Sequence, residues 1–409
     1  MAPQASKWTS SQRHVVAAAY LGWMLDAFDF FLLVFVINDV AREFGTKNSA
    51  VAMAITMTLA ARPVGAFVFG RLADRFGRRP ILMLDVALYS VFGFATAFAP
   101  NLAVFLLIRG LFGIAMGGEW GVGASLTMET VPQSARGLVS GILQSGYPSG
   151  YLLASLVFAV LYPLIGWRGM FMVGLVPALL ILYIRTKVPE SPAYREERAA
   201  SVTTLGVLRR HWKLALYAIL LMTAFNFFSH GTQDMYPTFL QKQRHFDHAT
   251  VSGIAILYNI GAILGGLTFG TVSQWLGRKR AIIAAACFAV PAVWLWAFSP
   301  NVALLALGAF IVQFFVQGAW GVVPAHLNEL SPAEARGAFP GTVYQLGNFI
   351  ASYNATLQTT FAERNGDNYA LALAGVAVAA AFAIIVLVAL GREARDAAMS
   401  EPIPERPPA

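Results

Sequence analysis

The chain is short of charge and nearly without cysteine. Only 12% of its 409 residues are charged and 57% are hydrophobic, with a mean hydropathy of +0.61. Soluble domains carry about a quarter charged residues, so the composition argues against a water-soluble globule and for a membrane protein. The one cysteine, Cys287, lies inside an apolar run. A disulfide framework is excluded, and the residue reads as small core packing. The net charge of +8 is not gathered on one surface segment, so it is no nucleic-acid footprint; lysines and arginines fall in short clusters between apolar runs, the pattern that sets membrane topology. His245, His248 and His326 stand without converging ligands, so no metal site is expected. No polar stretch is long enough for an extramembranous signalling domain, which counts against a receptor. The first apolar run holds Asp26 and Asp29 with no small-residue cleavage site after it, and is expected to be a retained helix, not a signal peptide.

What the chain has in quantity is long apolar runs. Twelve of them, near 14–38, 48–70, 81–99, 102–128, 137–161, 167–186, 213–240, 250–272, 281–299, 302–327, 337–361 and 369–391, are long enough to cross a bilayer. With the N-terminus placed inside, 21 Lys/Arg fall in cytoplasmic segments and six outside: Arg42, Lys47, Arg168, Lys242, Arg244 and Arg364. Arg62 and Arg109 lie within spans. That bias predicts cytoplasmic termini and a multi-pass protein of the cell membrane.

The chain also repeats itself at an offset of 200 residues. Gly70, Gly77-Arg78, Pro100-Asn101, Gly118, Trp120-Gly121, Glu129, Pro132 and Ala135-Arg136-Gly137 recur as Gly270, Gly277-Arg278, Pro300-Asn301, Gly318, Trp320-Gly321, Glu329, Pro332 and Ala335-Arg336-Gly337. The expected fold is all-α: a cytoplasmic N-terminus (1–13), a six-helix half (14–186), a charged linker (187–212), a second six-helix half (213–391) and a cytoplasmic tail (392–409). Parallel six-span repeats are the plan of a rocking transporter with its site at the midplane between the halves.

Polar residues inside the spans point to that site. Asn226, His230 and Asp234 are spaced i, i+4, i+8 and form one helical stripe. Titratable groups on a membrane helix mark a functional path by default. Arg62 lies eight residues before Gly70, hence about 12 Å into its helix. A buried guanidinium needs an anion, either a substrate carboxylate or an aspartate of span 1. Asp26 and Asp29 are i, i+3 neighbours. Gln345 and Asn348 share a face of span 11, and Gln144 and Tyr147 hold the corresponding place in span 5. Ser229, His230 and Asp234 do not make a hydrolase triad, because adjacent helix positions diverge by about 100°. No nucleophile–base pair is visible, so no enzyme is expected.

Several of these stretches resemble known families. Gly70-Arg-Leu-Ala-Asp-Arg-Phe-Gly-Arg-Arg79 resembles the loop 2–3 signature of the major facilitator superfamily, with a degenerate copy at 270–280 in which Gln274 replaces the acidic residue. Arg109-Gly110 with Gly113 resembles the superfamily's span 4 pattern, and Pro189-Glu190-Ser191-Pro192 resembles a sugar-porter motif. Leu25-Asp26-Ala27-Phe28-Asp29-Phe30 resembles the first helix of sialate and lactate symporters. Asn226, Ser229, His230, Thr232, Gln233, Asp234 and Thr238, together with Tyr344-Gln345-Leu346-Gly347-Asn348, resemble the lactate–pyruvate:proton symporters. The resemblance implies proton-coupled symport of a short monocarboxylate by a monomer in lipid, with no cofactor other than the proton as coupling ion. It implies substrate contacts at Arg62, Asn226, Gln345, Asn348, Gln144 and Tyr147, and proton coupling among His230, Asp234, Asp26 and Asp29. Gating is expected from Asp74 with Arg78, Glu129 with Arg136, and Glu329 with Arg336. A sialate or other organic-acid symporter is the alternative.

Overall fold

The computed structural model describes residues 9–76, 78–187, 206, 209–332, 339–393 and 395. The described residues form α-helices and two short 3-10 turns, with no strand among them. In chain order the helices are α1 (Ser10–Glu43), α2 (Asn48–Phe76), α3 (Arg78–Thr96), α4 (Leu102–Met116), α5 (Glu119–Thr130), α6 (Arg136–Val173), α7 (Leu180–Lys187), α8 (Trp212–Gln233), α9 (Tyr236–Lys242), α10 (His248–Leu276), α11 (Arg278–Phe298), α12 (Val302–Leu330), α13 (Phe339–Ala351), α14 (Asn354–Arg364) and α15 (Tyr369–Leu390).

Eight helical stretches are long and apolar enough to cross a membrane, and two shorter apolar ones, Pro80–Thr96 and Leu102–Met116, accompany them. Polarity is inverted relative to a soluble protein. Trp275, Trp294 and Phe382 are 73%, 70% and 68% exposed, while Arg62, Arg109 and Arg278 are essentially sealed. A periphery of bare indoles and phenyls suits lipid, and the charges it surrounds face the bundle interior.

The 200-residue repeat reappears as geometry. Helix α2 runs 48–76 and α10 runs 248–276; α3 begins at Arg78 and α11 at Arg278. The repeated Pro-Asn pair is a helix start. Asn101 accepts from the Val104 amide at the head of α4, and Asn301 accepts from Ala303 and Leu304 at the head of α12. The repeated glycines let helices touch. A Cβ on Gly65 would overlap the backbone carbonyl of Ile114, and one on Gly265 that of Phe314. Gly277, at φ 92, makes the α10–α11 turn that a Cβ would strain.

The halves differ where glycine and proline act. Residues 302–330 are one continuous helix, whereas 102–130 break at Gly117-Gly118 into α4 and α5. Span 7 breaks at Asp234-Met235, just before Pro237 in the first turn of α9. Spans 5 and 6 are joined in α6 across a kink at Gly166, where φ is 61. Span 11 is divided into α13 and α14. These breaks interrupt several of the apolar runs expected from the sequence, and eight helical stretches rather than the expected twelve stand out by length among the described residues.

The halves meet along α6 with α10 and along α2 with α13 and α14. At one end the Ser49 hydroxyl and amide donate to Glu363 at 2.8 and 3.2 Å, Asn48 donates to Asn38 at 2.6 Å, and Asn38 donates to Gln241. At the other, Ser140 donates to the Gly321 carbonyl at 2.8 Å and accepts from the Ala325 amide at 3.1 Å. The halves are thus in contact towards both ends.

Candidate functional site

Arg62, held on α2 one turn from the close approach of Gly65 to α4, donates to Asp26 on α1 at 3.2 Å, and both are buried. Its guanidinium lies 5.6 Å from the Trp23 ring. Tyr344 of α13 turns its hydroxyl towards Arg62 and Asn348. Asn348 also donates to Gln345 at 3.0 Å, and Gln345 crosses to the first half, donating to the Gly117 carbonyl at 3.1 Å. Of the two partners left open for Arg62 by the sequence, the structure provides the aspartate. The Nε of Arg62 and Oδ1 of Asp26 remain without hydrogen-bond partners.

Across from this group, His230 Nδ1 lies 3.1 Å from each carboxylate oxygen of Asp234. The i, i+4 stripe therefore forms as a contact. The His230 ring meets Phe30 and Tyr147 of the first half edge-on, at 5.8 and 6.2 Å. Tyr147 stacks on Trp23 at 5.2 Å. Arg62, Asp26, Tyr147, His230, Asp234, Tyr344, Gln345 and Asn348 thus gather at the seam between the halves. An anion entering here meets a guanidinium, two amides and a phenol from both halves, with a titratable pair opposite.

Other expected site residues are placed differently. Asn226 turns its amide to the Met222 carbonyl at 2.7 Å within its own helix, leaving Oδ1 as its only free buried atom. Gln144 accepts from Trp120 at 3.4 Å, and Trp120 packs on Tyr344 at 4.4 Å. Asp26 and Asp29 diverge: Asp29 points into the first bundle, where a Cβ on Gly174 would come within 2.9 Å of its Oδ1. Gln313 and Gln317 lie inside the second half beside the His230–Asp234 helix, although no sequence motif marks them. They fasten α12 to α8: Gln313 accepts from Gln233 at 2.8 Å and donates to Thr232, and Gln317 donates to Ser229 at 3.0 Å. Their i, i+4 spacing in an apolar helix was the available signal.

Among the expected gating residues, Arg336 and the side chains of Asp74, Arg78 and Glu129 lie outside the described residues. Glu329 is met by Arg278, the repeat partner of Arg78, through a two-pronged pair at 2.8 and 2.9 Å. Arg278 is thus the described contact of Glu329, while its expected partner Arg336 lies outside the described residues. Arg136 is buried at the α6 start and faces Glu329 from the other half. Gln274, in the place of an acidic residue, accepts from Arg278 at 3.1 Å.

Two bundles with repeated helix bounds, charges turned inward and a polar seam bridged towards both ends define a membrane transporter. The Major Facilitator Superfamily model matches residues 19–353, and again 234–407, so the chain belongs to that superfamily. It is 27% identical to the sialic acid transporter NanX of Escherichia coli, covering 92% of this chain and 93% of NanX. It is also 27% identical to a carboxylic acid transporter protein homolog of Saccharomyces cerevisiae, covering 88% of this chain but only 63% of the yeast protein. A crystal structure of the human organic anion transporter MFSD10 shares the fold, with a TM-score of 0.68 at 17% identity over 91% of this chain and 99% of that one.

Proposed function

We propose that this chain is a proton-coupled symporter of short monocarboxylates, lactate and pyruvate first, working by alternating access. It spans the cell membrane as two six-helix halves of twelve helices in all, with both termini cytoplasmic. Arg62 at the seam, opposite the His230–Asp234 pair, is the observation that carries this reading. A substrate carboxylate replaces Asp26 on the guanidinium, with Gln345, Asn348, Asn226, Gln144 and Tyr147 around it. Asp234 or His230 takes a proton, with Asp26 and Asp29 as further carriers. Loading removes uncompensated charge from the seam and lowers the cost of closing it. Relatives named for carboxylic acid, sialic acid, niacin and cis,cis-muconate transport support an organic acid as cargo. What those names share is an acid group, which Arg62 suits.

The test uses proteoliposomes with a trapped pH dye. Adding L-lactate or pyruvate outside should acidify the lumen only when the protein is present, and Asp234→Asn should abolish the effect. Acidification by N-acetylneuraminate but by neither short acid favours the second reading, a sialate symporter, which near full-length similarity to NanX supports. Binding of these acids without flux in either direction would refute symport.

A further inference from the structure

The first bundle buries more acid than the symport scheme uses. Asp85 on α3 and Glu119 at the start of α5 are 2% and 5% exposed, and none of their four carboxyl oxygens has a hydrogen-bond partner among the described residues. The Glu119 carboxyl lies against α1 in the space a Cβ at Gly22 would fill. Asp85 faces Glu119, Asp26 and Arg62; Glu119 faces Asp26 and Arg62. Tyr89, also on α3, turns an unpartnered buried hydroxyl among Glu119, Asp26, Asp29 and Asp85. Arg109 on α4, whose three guanidinium nitrogens lack hydrogen-bond partners, faces Asp29 and Asp26 and lies 4.1 Å from the Phe112 ring. Tyr344 and Tyr147 close the Arg62 side.

In this cluster, four buried carboxyls (Asp26, Asp29, Asp85 and Glu119) thus face two guanidiniums (Arg62 and Arg109). Fully ionised, the group would hold an excess of two negative charges in a dry interior, which is untenable without bound protons or ligands. The Arg62–Asp26 contact uses one guanidinium, and Arg109 is nearest Asp29. Asp85 and Glu119 are left without a cation of their own, and the charge of Glu119 acts on Asp85. Two carboxyls that share a site cannot both ionise cheaply.

We infer that at least one of Asp85 and Glu119 carries a proton behind Arg62, and that with Asp26 they form a second proton-binding site linked to anion binding. This rests on the proposed role of Arg62. When a substrate carboxylate takes the guanidinium, Asp26 loses its counter-ion and the cluster gains one uncompensated negative charge. A proton from water on the open side then adds to a carboxylate oxygen of Asp26, Asp85 or Glu119. Anion and proton binding favour each other by necessity of linkage. The site is separate from the His230–Asp234 pair, which lies in the other half.

The purified full chain tests this in two arms. Without ligand near neutral pH, infrared spectra should show the carbonyl band of protonated buried carboxyls in the wild type. Asp85→Asn, Glu119→Gln and the double variant should weaken it, while melting temperatures report that each variant is folded. An unchanged band in folded variants overturns the buried proton. In the second arm, L-lactate, pyruvate and N-acetylneuraminate are added in weakly buffered solution with an indicator dye, and binding is followed by calorimetry. Proton uptake on binding should fall by half or more in the double variant, and uptake equal to wild type at equal occupancy overturns the linkage. If no acid binds the wild type, the reading of Arg62 as a carboxylate site fails, and the infrared arm still decides the buried proton.

Discussion

Arg62 and Asp234 are where single residues decide most. An ammonium cannot reproduce the planar fork of a guanidinium, so Arg62→Lys should weaken monocarboxylate binding by roughly tenfold or more, about 1.5–3 kcal/mol for a charge-assisted hydrogen bond. The dissociation constant from calorimetry checks this, and an unchanged value removes Arg62 from the site. Asp234→Asn keeps the shape of the His230 contact but not its charge. It is expected to lose accumulation driven by a pH gradient while retaining lactate–lactate exchange, measured with labelled substrate. Both residues were legible in the sequence because a charge inside an apolar run is conspicuous. The partners were less so. Nothing in the spacing of Asp26 and Asp29 says that the first faces Arg62 of the neighbouring helix α2 and the second faces Arg109 of α4. Asp85 is also a lone acid in an apolar run, but no motif or spacing in the sequence singles it out. Its significance arises only from company that α3 shares with α1 and α5.

At the scale of elements, close helix contacts rest on glycines that recur between the halves. Gly65→Val and Gly265→Val would each drive a side chain into a facing backbone carbonyl. Each should cost about 1–3 kcal/mol, a loss of several degrees in a thermal melt in detergent. Gly110 serves as the contrast. A Cβ there would meet nothing within 4 Å, so Gly110→Ala should leave the melt unchanged. Interruptions of helices were harder to foresee than the helices. Hydropathy marks a segment as apolar over its length and is blind to a two-residue break. The Gly117-Gly118 break in one half, against the unbroken passage through Gly318 in the other, follows from how α4 lies on α2: a Cβ on Gly117 would meet the Arg62 carbonyl. That same break frees Glu119 to start a new helix.

For the whole molecule, the proposed alternating access requires that the contacts at the two ends open in turn. Thr56 of α2 and Thr356 of α14 place their hydroxyls 2.9 Å apart across the seam. That separation suits a disulfide, whose sulfurs lie about 2.05 Å apart. In a Cys287→Ser background, Thr56→Cys with Thr356→Cys should cross-link under mild oxidant and stop lactate flux, and reductant should restore it. Full flux in a cross-linked sample, with cross-linking verified by mass, would show that the halves do not separate there. The Ser49–Glu363 contact belongs to the same end. Glu363→Gln should loosen it and shift the balance between open states, read as a change in the rate of uptake relative to efflux.

By itself the sequence determined the class of fold, because scarcity of charge, length of apolar runs and a 200-residue repeat are properties of the chain in order. It also determined which polar residues had to be explained, since lipid tolerates few of them. The tertiary structure decided which of those residues meet. Arg62 with Asp26 and Tyr344, Gln345 with the Gly117 carbonyl, Glu329 with Arg278, and Asp85 facing Glu119 all join different helices. Such pairs depend on the rotation of each helix about its own axis and on the depth at which it sits. Those are set by packing against every neighbour at once, and no local pattern encodes them.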